Sequence, residues 1–162
     1  MSYQPGTPVI EGSLYAPAAQ AEYANWLYRV GSYLIDALIT SAVPIVARAL
    51  IGALGLTDAF GTPRGAGLFI YLVSLAVSVA IFVWNSLIRQ GSTGQSVGKQ
   101  ALGTRLISVR TNQPIGAGMA FVRQLCHILD ALPCYLGYLW PLWDSKRQTF
   151  ADKLVGTVVV RV

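Results

Sequence analysis

Three apolar runs organise the chain, and each is interrupted where the interruption is informative. The first, residues 30–56, exceeds the ~20 residues needed to cross ~30 Å of hydrocarbon. It carries Asp36 about two turns in, Pro44 at its middle and Arg48 toward its far end. The second, residues 68–88, holds no charge. Its Ser74 and Ser78, and its Ala76 and Ala80, repeat small side chains at the four-residue spacing that lets helices approach closely in lipid. Trp84 and Asn85 stand near its end, where an interfacial anchor is expected. The third, residues 117–143, places Arg123, His127 and Asp130 at spacings of four and three, one helical face, before Pro133 interrupts it. These patterns predict helices over about 26–54, 66–88 and 117–143, a loop over 89–116 and a tail over 144–162.

Charge sets the expected orientation. Residues 89–113 contain Arg89, Lys99, Arg105 and Arg110 and no acid, whereas the loop after the first run contains only Asp58 and Arg64. Basic loops stay in the cytoplasm, so this loop and the N-terminus are expected there. The charge-free part of the third run, 131–143, would reach only about 20 Å as a helix. It is too short to cross, so an embedded or re-entrant segment is expected, with a cytoplasmic C-terminus. Two β-branched runs, residues 104–109 and 157–162, read as short strands that can pair only on one side of the membrane. The expected fold is therefore an all-α membrane protein. It has two transmembrane helices, a third embedded or re-entrant segment and a small cytoplasmic β-element. Residues 1–22, with three prolines, read as a flexible tail without the pattern of a cleavable signal peptide; residues 23–162 form the membrane domain.

Composition agrees. Of 162 residues, 54% are apolar and 12% charged, against about a quarter charged in soluble domains. The net charge of +5 would suggest nucleic acid in a soluble protein. Here the basic residues flank apolar runs, so the expected partners are the lipid bilayer and other membrane subunits or a second copy, and no nucleic acid. Cys126 and Cys134 stand without a CxxC or a Cys/His cluster, so no metal is expected. Residues 91–99, GSTGQSVGK, fail the phosphate-loop spacing: Thr93 stands five before Gly98, and Gln100 follows Lys99. No cofactor is expected. No nucleophile stands with a base and an orienting acid, and the chain is read as non-enzymatic.

The candidate chemistry centres on residues 29–36, RVGSYLID, which place Arg29 and Asp36 on one helical face. An acid inside a membrane-length run is a functional hypothesis by default. Asp36 could pair with Arg29 or Arg123, bind a cation or carry a proton, or hydrogen-bond a neighbouring helix as a neutral acid. Arg123, His127 and Asp130 could extend an ion or proton relay from it. Arg29 lies about 10 Å along the same helix, so Arg123 is the favoured partner. Lys99 and Arg105 are candidates for contact with anionic headgroups.

With RVGSYLID, GSTGQSVGKQALGTRLISV at 91–109, LDALP at 129–133 and DSKRQTFADKLVGTVVV at 144–160, the chain resembles the RDD family of bacterial membrane proteins over residues 23–162. The family is named for an arginine and two aspartates. The resemblance assigns these to Arg29, Asp36 and Asp152, with Asp130 as the alternative second aspartate. It favours Asp152 as a helix-terminus or turn cap that locks the tail under Arg29 over a solvated surface charge. It implies an integral protein of the bacterial inner membrane without an established enzymatic activity. Some members resemble cation/proton antiporters and many resemble accessory subunits.

Overall fold

The computed structural model describes residues 22–162; the tail expected over 1–22 lies, except for Glu22, outside them. Helix α1, Trp26–Ala53, is 28 residues long, about 42 Å at 1.5 Å per residue. The Asn25 side chain caps its start, and it runs without a break through Pro44. At its far end the chain turns back around Asp58, whose carboxylate accepts from the N–H groups of Phe60 and Thr62 at 2.9 and 2.8 Å. Arg48 donates to the Gly61 carbonyl in the same loop. Helix α2, Ala66–Phe82, continues through a π-helical turn, Val83–Arg89, into a last turn α3, Gln90–Thr93. Together they form a second 28-residue rod. It packs along α1. Ser74 and Ser78 are buried, whereas Ala76 and Ala80 point outward.

Both rods differ from the core helices of a soluble protein. Only 11% and 17% of their most apolar windows are buried. Leu34, Leu38, Ile45 and Leu50 on α1 and Phe69, Leu72 and Val79 on α2 are exposed. Apolar surface of that extent marks contact with lipid or protein rather than water. They are two candidate membrane-spanning helices.

Strands β1, Thr104–Ser108, and β2, Thr157–Arg161, pair antiparallel from Thr104 opposite Arg161 to Ser108 opposite Thr157. The start of the described chain adds to this sheet. The Ala24 N–H donates to the Val159 carbonyl, and the Arg161 N–H donates to the Glu22 carbonyl, both at 2.9 Å. One sheet face packs Leu106 and Val159 with Ala24, Tyr28 and Ile115; the other packs Ile107, Val158 and Val160 with Tyr23. The sheet therefore pins the foot of α1 to the end of the chain.

The third apolar run is not a single helix over 117–143. It forms α5, Gly116–Ala131, then turns at Pro133, which has no N–H to continue the helix. Cys134 and Tyr135 follow at positive φ. A short α6, Leu136–Leu139, and a 3-10 turn, Trp140–Leu142, lead toward α7, Phe150–Val155. The beginning, middle and end of α5 all meet the sheet and α7 layer. Ile115 packs on the sheet, Arg123 pairs with Asp152, and Asp130 accepts from the Phe150 N–H.

Candidate functional site

Three carboxylates hold the polar interior, each by different means. At the start of α7 the Thr149 hydroxyl accepts from the Asp152 N–H at 3.1 Å, and Asp152 Oδ2 accepts from the Thr149 N–H at 3.2 Å. This reciprocal cap aims the Asp152 carboxylate away from α7. Arg29 Nη1 donates to Oδ2 at 2.6 Å, while Arg123 Nε and Thr157 Oγ1 donate to Oδ1 at 2.8 and 3.0 Å. Asp152 is fully buried. Burial pushes its pKa up, but Arg123 and Arg29 outweigh it and hold the carboxyl well below the usual range.

Asp130, also fully buried, accepts from the Phe150 N–H at 2.8 Å. Its other oxygen lies 2.6 Å from His127 Nδ1, and the Tyr138 ring stacks on His127 with centroids 5.5 Å apart.

Asp36 accepts at Oδ1 from Asn85 Nδ2 at 2.7 Å and from the Gly98 N–H at 2.8 Å. Asn85, buried within the π-helical turn, also accepts from the Val97 N–H at 2.8 Å. The acid and amide thus receive the opening N–H groups of α4, Val97–Ala101, which Ser96 caps. A Cβ on Gly98 would collide with the Ser32 carbonyl, so α4 reaches α1 only because this residue has no side chain. The expected pairing of Arg123 with Asp36 is not formed. Asp152 enters between the two arginines from α7, while Asn85 and the α4 backbone take Asp36.

These groups border a cavity of about 780 Å³ between α1, α2 and α5. Arg29, Asp36, Lys99, Arg123 and His127 reach its wall, with Thr40, Ser78, Ser86 and Gln124 between them. Asp152 and Asp130 stand behind the wall. Lys99 turns into the cavity and forms no salt bridge or side-chain hydrogen bond among the described residues. Burial, and then Arg123, lower its pKa from 10.5 to about 8, although Asp36 opposes them. Arg29 Nε and Nη2 are buried without an acceptor among the described residues. Arg105 lies on β1 opposite Val160, away from the cavity wall. Among the described residues no three His, Cys, Asp or Glu side chains converge as a metal site would require.

Asn85 is the residue that reading the sequence misplaced, as an interfacial anchor. It is the only amide in an uncharged apolar run, and an intramembrane polar group implies a partner. That signal was sufficient to find it. Thr149 also had a signal, the Thr-x-x-Asp spacing to Asp152 that marks a capping box. Gly98 gave none, because its role depends on which backbone meets it.

Two apolar rods with their polar groups turned inward, clamped at one end by a small sheet, define a membrane-type helical protein. The chain belongs to the RDD family, whose model matches residues 23–156. It is 40% identical over 154 residues to the proline-rich antigen of Mycobacterium leprae, covering 86% of this chain and 61% of that protein. It is 38% identical over 148 residues to the proline-rich antigen homolog of Mycobacterium tuberculosis, covering 90% and 60%. The chain spans about three-fifths of the length of these relatives. No solved structure matches it.

Proposed function

We propose that the chain is a non-enzymatic module of the bacterial plasma membrane, working as an accessory or scaffolding subunit of a transport-associated assembly. The observation that carries this reading is the commitment of its acids. Asp152 and Asp130 are sealed into joints between α1, α5, α7 and β2, and Asp36 ties α1 to the π-helical turn of the second rod and to α4. Groups used this way hold a shape to be recognised.

In the proposed topology both termini are cytoplasmic and α5 is an embedded helix that does not cross. Its inverted pattern supports this. Arg123 and Asp130 are buried, whereas Met119, Val122, Leu125 and Leu129 form an exposed stripe that suits the boundary between headgroups and acyl chains. The partners are then the bilayer and another membrane subunit or a second copy of the chain. Purification from native membranes in mild detergent, followed by native mass spectrometry, tests it. A stoichiometric complex of defined mass is expected, and a solitary chain overturns the reading.

One observation favours a second reading, a small cation/proton antiporter acting as an oligomer with Asp36 as carrier. Asp36 lines the cavity, and its Oδ2 has no hydrogen-bond partner among the described residues. Proteoliposomes separate the two. Cation-driven proton flux in the parent, abolished by Asp36→Asn, would replace the scaffold with the antiporter; no flux in the parent removes the antiporter.

A further inference from the structure

We propose that the cavity between α1, α2 and α5 binds an anionic membrane lipid, with Lys99 and Arg29 holding its phosphate. The charges around the cavity balance in number but not in placement. Lys99, Arg29 and Arg123 stand against Asp36 on the wall and Asp152 and Asp130 behind it. Yet Asp152 is shared by the two guanidiniums and Asp130 turns to His127 and the Phe150 N–H, so no carboxylate forms an ion pair with Lys99 among the described residues. Donors are also in excess. Arg29 Nε and Nη2 are buried with no acceptor among the described residues, and buried donors left unmade are costly. Lys99 projects into the same space without a salt bridge. A phosphate offers several acceptor oxygens and a negative charge, which fits a guanidinium edge beside an ammonium. It would also oppose the burial and the Arg123 charge that lower the lysine pKa.

The shape of the cavity selects a lipid over a free phosphate. Arg29 is in the first turn of α1, at the level where a spanning helix meets headgroups. From there the wall continues along α1 to Pro44, about 22 Å away at 1.5 Å per residue. Beyond Asp36 it is built from Ala37, Pro44 and Phe82 with scattered hydroxyls. A free phosphate would use only the charged end, whereas an amphiphile uses the length. This differs from the surface contact expected of Lys99 and Arg105, because the lysine faces inward and Arg105 takes no part.

The test uses the full chain in non-ionic detergent and native mass spectrometry with added phosphatidylglycerol or phosphatidylcholine. Saturable binding of one phosphatidylglycerol in preference to phosphatidylcholine is expected. Lys99→Gln should weaken it about 5- to 10-fold, the loss of roughly one cation's interaction with a lipid phosphate. Lys99→Arg should retain it, which separates lost charge from lost folding. Lys146→Gln, at an exposed position, should leave it unchanged, which separates the cavity from general surface attraction. Equal binding of the two lipids, or no effect of Lys99→Gln, overturns the proposal. Displacement of the lipid by an equimolar amount of soluble glycerol phosphate overturns the lipid as the source and assigns the site to a free phosphate.

Discussion

Asp152 and Asp36 are two acids in one polar interior, satisfied in opposite ways. Asp152 is fully buried between two guanidiniums, a hydroxyl and a backbone N–H, with both oxygens engaged. Asp36 takes only neutral donors, both on Oδ1, and faces the cavity. A carboxylate enclosed by cations is held charged and immobile. A carboxylate held by amides on one edge keeps the other edge for whatever enters. The first joins elements of the chain; the second belongs to the part of the molecule that can still bind.

Removing Asp152 should have the largest effect. Asp152→Ala leaves Arg29 and Arg123 buried without their shared anion, and breaking a buried pair typically costs about 3–5 kcal/mol. Thermal unfolding in detergent, with the yield of folded protein from membranes, would measure it. The acid limb follows from the direction of the pKa shift. A folded-state pKa below the unfolded value of about 3.9 contributes stability in full above that value, and the contribution is lost as pH falls below it. The parent should therefore hold its stability from pH 7 to about 5 and lose part of it below about 4. Asp152→Ala should lack that part of the loss.

Asp36→Asn should be far milder, about 1 kcal/mol, because the amide oxygen can still accept from Asn85 and Gly98 and no ion pair is broken. If Asp36→Asn destabilises as strongly as Asp152→Ala, the contrast between a sealed and an open acid fails. A double variant of Asp36 and Asn85 would then show whether the two act as one unit.

What the sequence made legible followed from local patterns. The two long apolar runs, the paired β-branched strands and the interruption at Pro133 each depend on neighbouring residues, and each appears in the structure near its expected place. The helix ends did not: the second rod continues past Ile88 to Thr93 through a π-helical turn, which no hydrophobic period marks. The polar partners depend on contacts far apart along the chain. Arg29 and Asp152, 123 residues apart, were legible as partners only through the resemblance, which favoured a tail locked under Arg29; Asp36 and Gly98, 62 apart, were not. The favoured partner for Asp36 was a cation because charge is visible in a sequence. A backbone N–H is not, and it was Gly98, by lacking a side chain, that brought one within reach.

The smallest effect expected separates binding from folding most cleanly. Lys99 has a folded-state pKa lowered to about 8 from 10.5 by burial and by Arg123. For a base shifted down, the cost is present in full below the folded pKa and disappears as pH rises past the unfolded one. A shift of that size would be worth about 3 kcal/mol for a fully enclosed lysine, but Lys99 is only half-buried. In lipid-free detergent at pH 7, Lys99→Met should therefore be more stable than the parent by a fraction of that, on the order of 1 kcal/mol. The parent should close that gap between pH 8 and 10.5. Groups common to both proteins cancel in the difference, so the closing gap reports Lys99 alone. Added phosphatidylglycerol should stabilise the parent more than Lys99→Met at pH 7 and reverse their order. A lysine retained for packing would show no such reversal, because lipid would then stabilise both proteins equally.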